Sequence, residues 1–253
     1  AGIRLVPACW RRATVNAARS GGAPRVSAAL STFDRQQARY WEQDTSYLPP
    51  RSPTAVASAS PKLDYVQGVL RLPRDTSVLD VGAGNGVFTH QLRARFNWVA
   101  CLDGAWNMIA RNPSAGPRLQ GSAYHLPFAA GSFDLVFCGN LLHHLAEPKR
   151  AVAEMTRLSR EHVVLCEPNR WNLPLLAFMA LVPEEHGGLK FSPAYLRGLA
   201  EAADLKVLRC QPMGLVYERK TPALLLPLLR GFDRPCWFGA YTVLIARKRH
   251  EAP

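Results

Sequence analysis

The chain of 253 residues has six cysteines, at positions 9, 101, 138, 166, 210 and 236, yet no Cys-x-x-Cys pair. Without that spacing neither a zinc ribbon nor a thioredoxin-type redox pair is expected, and no metal site is predicted. Cys101, Cys138 and Cys166 each fall inside apolar stretches and read as small buried hydrophobes in a reducing, cytoplasmic setting. Long apolar runs are missing too. The best of them, 173–182, is about half of the ~20 residues that a bilayer-spanning helix needs, so no membrane span is predicted. Acidic residues are also scarce, 19 against 31 Lys and Arg, for a formal net charge of +12. Residues 1–33 contain none, and Arg4, Arg11, Arg12, Arg19 and Arg25 are their only charges. That segment reads as a loosely ordered basic tail, with organelle targeting as the alternative; Pro7, Gly21, Gly22 and Pro24 interrupt any long amphipathic helix. The rest of the positive charge is spread without a dense basic helix or a run of six like charges. It is assigned to solubility, and a nucleic-acid partner is disfavoured.

From Thr76 onward strand and helix patterns alternate, predicting an α/β fold with a mostly parallel, doubly wound sheet. Strands are predicted at 77–81, 98–102, 118–121, 132–139, 162–166, 205–210 and 241–246. Helices are predicted at 86–96 and 105–112, and others start at Pro148 and Pro193. The Pro- and Ser-rich stretch 49–61 reads as a linker. Three units follow: the tail (1–33), a lid segment with its linker (34–61), and a main domain over 62–253 with apolar insertions near 171–190 and 215–239.

Within the main domain, residues 78–86, VLDVGAGNG, run a strand into three glycines, Gly82, Gly84 and Gly86, and then into a helix. Glycine permits the sharp turn and a close approach of ligand to backbone. Dinucleotide enzymes place Gly-x-Gly-x-x-Gly here. This chain has Gly-x-Gly-x-Gly instead, with Val87 where that pattern needs its last small residue. Asp80, inside the strand end, offers nothing to a pyrophosphate and favours a positively charged group. Asp103, at the end of the second strand, is placed to accept both hydroxyls of a ribose. The alternative for Asp103 is an N-cap of helix 105–112. Ala83 and Gly104 lie in the same two turns and join the candidate cofactor contacts.

A third segment, 121–145, reads GSAYHLPFAAGSFDLVFCGNLLHHL. With the two before it, in this order and at these spacings, the run resembles the class I S-adenosylmethionine-dependent methyltransferase family, in its small-molecule branch with ubiquinone-type and natural-product members. The resemblance covers residues 76–203, about half the chain. It implies a Rossmann-like seven-stranded sheet with an antiparallel last strand. It also implies S-adenosylmethionine as cofactor and S-adenosylhomocysteine as product. Asp80, Gly82 and Gly84 would bracket the methionyl part, Asp103 would hold the ribose, Ser122, Ala123 and Tyr124 would border the adenine, and Asn140 would face the methionyl moiety. One position departs from the family, which usually carries an acid where Ser122 stands. A serine hydroxyl accepts a hydrogen bond without charge assistance, a loss on the order of 1 kcal/mol.

Methyl transfer is an in-line displacement, so the protein contributes mainly alignment, together with a base where the acceptor is still protonated. His143 and His144 are the catalytic candidates, because they follow the fourth strand, where ligands sit in open α/β sheets. On a helical start they point in different directions, so at most one is expected to face the site, with His144 preferred. A structural or solvated role is the alternative for each. His125 is a further candidate, and Glu167 lies on the same rim, either orienting a substrate or capping a loop. The segment 33–47 is expected to form a lid helix, with Tyr40 and Trp41 reaching the cofactor. The two apolar insertions favour a small hydrophobic or aromatic acceptor. The fourth-strand exit, Asn140-Leu141-Leu142-His143, lacks the two prolines and aromatic of relatives that methylate DNA bases or protein amides. Two rival readings remain. One is an NAD-dependent oxidoreductase, disfavoured by the glycine spacing, by Asp80 and by the lack of a Ser/Tyr-x-x-x-Lys pair. The other is a catalytically inactive methyltransferase-like protein that binds RNA or a protein partner.

Overall fold

The structure, a computed structural model, describes residues 31–44, 48–113, 116–218 and 221–249. The expected basic tail therefore lies outside the described residues up to position 30, and Cys9 with it.

Seven strands form one sheet: β1 (Ser77–Val81), β2 (Trp98–Asp103), β3 (Arg118–Gln120), β4 (Phe133–Gly139), β5 (Ser159–Pro168), β6 (Leu205–Met213) and β7 (Tyr241–Lys248). Their order across the sheet is β3-β2-β1-β4-β5-β7-β6. β1 to β5 run parallel, and β7 runs antiparallel to both of its neighbours, as expected. β6 continues past its predicted end through Pro212, which an edge strand tolerates because one side of its ladder is unpaired.

Strand residues alternate between two faces, and each face is buried. Leu79, Val81, Val136, Cys138, Val163 and Leu165 belong to one core, under helices α5 (Pro148–Leu158) and α7 (Pro193–Ala202). Val78, Leu135, Phe137, Val164 and Cys166 belong to the other, under α2 (Pro53–Leu70), α3 (Val87–Arg95) and α6 (Leu173–Leu181). Burial on both sides is why these strands read as continuous apolar runs rather than alternating ones. The described residues also form the helices α1 (Thr32–Gln43), α4 (Trp106–Arg111) and α8 (Leu226–Leu229).

The predicted linker 49–61 is corrected by α2. Ser52 caps that helix by accepting from the Ala55 N–H at 3.3 Å, and Pro53 occupies its first turn, where a missing N–H costs nothing. Ala55 and Ala59 have no exposed surface and continue into Leu63 and Val66, one apolar stripe against the sheet. The small residues that resemble a linker in composition are the ones that let this helix sit close. The compact domain therefore begins well before residue 62.

Between β1 and β4 the winding reverses, since the chain steps outward to β2 and β3 on one side and to β5 on the other. Loops leaving the carboxyl ends of β1 and β4 therefore diverge and leave a crevice, the usual ligand position in open α/β sheets.

Candidate functional site

The crevice starts at the glycine turn after β1. Gly82 has φ 73° and Gly84 φ 52°, a region that costs other residues strain. A Cβ on Gly82 would overlap the Leu141 side chain, whereas a Cβ on Gly84 would meet nothing within 4 Å. The turn thus packs against the β4 exit on one side and leaves open space on the other. Its backbone is pinned by the Gly82 and Ala83 N–H groups, which donate to the Leu102 carbonyl at 2.8 and 3.0 Å.

Asp103 ties this turn to the next. One carboxylate oxygen accepts from the Gly84 N–H at 2.7 Å and the other from the Ala105 N–H at 2.9 Å. Burial raises its pKa, and the backbone donors of Ala105, Gly84 and Gly104 oppose that rise. α4 begins only at Trp106, with no side-chain cap at its start, so Asp103 braces the turn before the helix instead of capping it. Asp80 lies beneath the turn. It is 1% exposed, accepts from the Thr89 hydroxyl at 2.6 Å, and is absent from the cavity wall. Burial lifts its carboxyl to about 7, against the Thr89 hydrogen bond and with a smaller upward push from Asp103.

A cavity of about 440 Å³ occupies the crevice. Gly82, Ala83, Gly84, Asp103 and Met108 form one wall, and Asn140, Leu141, His143 and His144 form the other. Tyr40 and Trp41 close it from α1, and Phe178, Val182, Tyr217 and Tyr241 supply apolar cover. Asn140 adopts φ 56° and donates its N–H to the Cys166 carbonyl at 2.8 Å. Its side-chain oxygen is buried and has no hydrogen-bond partner. Such an orphaned acceptor on a cavity wall is the kind of group a ligand donor satisfies.

The expected lid helix is α1, and Asp34 docks it. Asp34 and Ser31 form a reciprocal capping box. Asp34 also accepts from the Tyr124 hydroxyl at 2.7 Å and from the Ala146 N–H at 3.0 Å. This places Tyr40 and Trp41 on the cavity, with the Trp41 ring edge-on to His144 at 4.7 Å. Tyr124 is spent on that anchor. Neither it nor Ser122, Ala123 or Gly104 lies on the cavity wall; Ser122 instead accepts from the Tyr124 N–H at 3.2 Å. His125 is remote from the cavity, beside Arg150.

His143 and His144 sit on a single 3₁₀ turn, Leu142–His144, and both line the cavity, which corrects the expectation that at most one would face it. Their rings lie 3.9 Å apart, and both residues are buried. His143 Nδ1 meets Glu167 at 2.6 Å, and Nε2 faces Glu185 at 3.4 Å. Burial lowers the His143 pKa, but the Glu167 hydrogen bond and charge, with Glu185, outweigh it and hold the group up. Burial and the neighbouring His143 charge push His144 down, so His144 is neutral at physiological pH, and its Nδ1 has no partner. Glu167 is not a rim residue. It has no exposed surface, and its other oxygen accepts from the Leu141 and Leu142 N–H groups at 3.0 and 2.8 Å, so the capping reading of this residue fits best.

Sequence reasoning missed Glu185 and Met108. Glu185 arrives on the 3₁₀ segment Pro183–Lys190 after α6, far from the histidines along the chain and in no recognisable motif with them. The segment is seated by Gln37, whose side chain donates to the Glu184 carbonyl at 2.8 Å, and by Gly187, which packs on the His143 backbone. Outside the cavity, a second groove of about 1060 Å³ is lined by Trp171, Leu173, Leu225, Leu229, Trp237 and Phe238. It shares Pro174 and Tyr217 with the inner cavity. No helix among the described residues is long and apolar enough to cross a membrane.

Comparison with known proteins agrees with this geometry. Residues 79–166 match a family described as "Methyltransferase domain". The demethylmenaquinone methyltransferase of Mycolicibacterium vanbaalenii is 31% identical over 120 residues, 46% of this chain and 51% of that protein. The chain thus spans about half the length of the relatives of this kind that it matches. Among solved structures, a Thermotoga maritima S-adenosylmethionine-dependent methyltransferase, a possible histamine N-methyltransferase, superposes with a TM-score of 0.60 at 16% identity, covering 86% of this chain and 98% of that one. The magnesium protoporphyrin IX methyltransferase of Synechocystis, with S-adenosylmethionine bound, gives 0.57 at 14% identity, covering 87% and 99%. At such identities these two establish the fold.

Proposed function

We propose that the chain, whose residues 79–166 match a methyltransferase domain, transfers a methyl group from S-adenosylmethionine to a small apolar or aromatic acceptor. The observation that carries this reading is the meeting, at one crevice, of the open glycine turn, the braced Asp103 carboxylate and the orphaned Asn140 oxygen. Together they suit a nucleoside ligand that carries an ammonium group.

The residues fit that cofactor. Gly84 leaves room for the methionyl part, and the Asn140 oxygen accepts from its ammonium. Asp103, already fixed by two backbone donors, holds the ribose hydroxyls, and Met108 offers an apolar face beside it. Gly104 and the segment Ser122–Tyr124 continue past Asp103 along the β2–β3 edge and border the adenine. Asp80 acts through its field from under the turn, without contact. The cofactor supplies a methyl group on a positive sulfur that departs as a neutral thioether. The chain supplies alignment and a dry site, effects that account for several kcal/mol of such a barrier. His144 presents its unpartnered nitrogen to the acceptor's nucleophilic atom, and His143, gripped between Glu167 and Glu185, sets the ring position of His144.

Phe178, Val182 and Tyr217 make the acceptor side apolar, and the outer groove continues that surface. The names of two matched proteins, acting on demethylmenaquinone and magnesium protoporphyrin IX, support a ring-bearing hydrophobic acceptor. The test is transfer of label from methyl-labelled S-adenosylmethionine to a panel of phenols and isoprenoid quinols. Turnover of at least one acceptor, reduced about 100-fold or more in His144→Ala, is expected. A protein that binds S-adenosylhomocysteine yet methylates nothing in the panel would contradict this acceptor class.

A further inference from the structure

The polar corner of the cavity holds more than an alignment role requires. His143, His144 and Glu185 each offer one ligand atom, and these atoms lie within 4.8 Å of one another. The 3.4 Å between His143 Nε2 and the Glu185 carboxylate is close to the ~3.3 Å separating two ligands held tetrahedrally about 2.0–2.1 Å from one ion.

Two further observations concern the imidazoles. Behind His143, the fully buried Glu167 takes Nδ1 at 2.6 Å, which fixes the ring and leaves Nε2 as the nitrogen facing the cavity. A carboxylate behind a histidine in this way orients metal-ligating imidazoles. His144 is 6% exposed, and its Nδ1 is buried without any hydrogen-bond partner. An unsatisfied buried ring nitrogen is costly unless something binds it.

We propose that His143, His144 and Glu185 hold a divalent transition-metal ion, zinc in the first instance, with an open coordination position facing the acceptor. Two imidazoles and one carboxylate form the donor set of catalytic zinc sites, whereas magnesium and calcium prefer oxygen ligands throughout. The ion selects an acceptor with a hydroxyl group. Bound to the metal, that hydroxyl becomes acidic, as metal-bound water does. Its proton leaves to solvent through the cavity mouth, and the electron pair stays on oxygen. The oxygen then bonds to the methyl carbon as the carbon–sulfur bond breaks, with that pair kept by sulfur, giving a methyl ether and S-adenosylhomocysteine. The metal replaces the direct contact between His144 and the acceptor. The catalytic consequence rests on the methyl-transfer reading; the binding of the ion does not.

The experiment uses the full chain, stripped with a chelator and titrated with zinc against a chromophoric competitor, then with cobalt by visible absorption. One ion per chain is expected, with the intense bands of low-coordinate cobalt. Glu185→Gln and His144→Ala should each weaken zinc at least about 100-fold, and Glu167→Gln about 10- to 100-fold. S-adenosylhomocysteine binding is measured on the same samples and should persist in Glu185→Gln, so loss of the metal site is told apart from loss of the cofactor site. If His144→Ala does not fold, Glu185→Gln carries the test, because that carboxylate lies partly at the surface. A wild-type chain that binds S-adenosylhomocysteine but neither metal overturns the proposal, as does equal zinc affinity in wild type and Glu185→Gln.

Discussion

Glu167 on β5 and His143 after β4 are joined by a 2.6 Å contact inside the protein, and the same carboxylate accepts two backbone N–H groups of the β4 exit. One buried side chain thereby sets the path of the turn that carries Asn140, His143 and His144. Glu167→Ala leaves those donors and a histidine unsatisfied in a water-poor interior. A stability loss of about 2–4 kcal/mol is expected from denaturant unfolding, well beyond the usual effect of a single hydrogen bond. A loss under about 1 kcal/mol would show that the turn holds its path by other means.

Asn140 combines a left-handed backbone with the orphaned acceptor, and two substitutions separate these properties. Asn140→Gly keeps the backbone at ease and should cost several-fold in cofactor affinity with little change in melting temperature. Asn140→Ala should lose the same affinity and about 1 kcal/mol of stability besides, because alanine resists positive φ. Calorimetry and thermal melts read the two effects independently. Equal stability of the two variants would contradict the backbone argument.

The Asp80 carboxyl makes stability depend on pH. Its pKa stands near 7 in the folded chain, against about 4 when unfolded, so the folded state binds the extra proton between those values. Stability from this group is full below pH 4, falls as the pH rises towards 7, and stays lower above it. Asp103, Cys101 and Cys138 are the other titratable groups coupled to it, and both thiols are pushed up by burial, so neither ionises in that window. Asp80→Asn can still accept from Thr89 but cannot ionise. The melting temperature of the variant relative to wild type should therefore rise from pH 4 to pH 7. A constant difference would rule out the buried carboxyl as the source.

Gly187 packs so closely on the His143 carbonyl that a methyl group there would overlap it. Gly187→Ala must lift the 183–190 segment away from the histidines and carry Glu185 with it. The expected result is a stability loss of about 1–3 kcal/mol together with weaker acceptor turnover at unchanged S-adenosylhomocysteine affinity. Loss of cofactor affinity instead would show that the segment supports the glycine turn.

The parts of the fold that were legible in the sequence are those whose burial repeats locally. β4 is apolar on both faces and flanked by polar turns, so FDLVFCG announces a central strand, and α5 shows its stripe of Ala151, Val152, Met155 and Leu158. α2 was hidden because its buried stripe begins with alanines at Ala55 and Ala59 amid serine and proline, a composition shared with linkers. In the site, the glycine turn and Asp103 were legible because a turn and its brace lie close to one strand end each. Glu185 was not, since only the packing of Gly187 and the reach of Gln37 bring it to the histidines. Tyr124 carries a contact that no local pattern announces: its hydroxyl donates to Asp34, linking residues 90 apart.

The most direct test of the account is calorimetric titration of the wild-type chain and Asp103→Ala with S-adenosylhomocysteine, with NAD as control. The account requires binding of the sulfur nucleoside by wild type, affinity about 10- to 100-fold weaker in the folded variant, and no heat with NAD. Binding of NAD, or equal affinity of both proteins for S-adenosylhomocysteine, would contradict the assignment of the crevice.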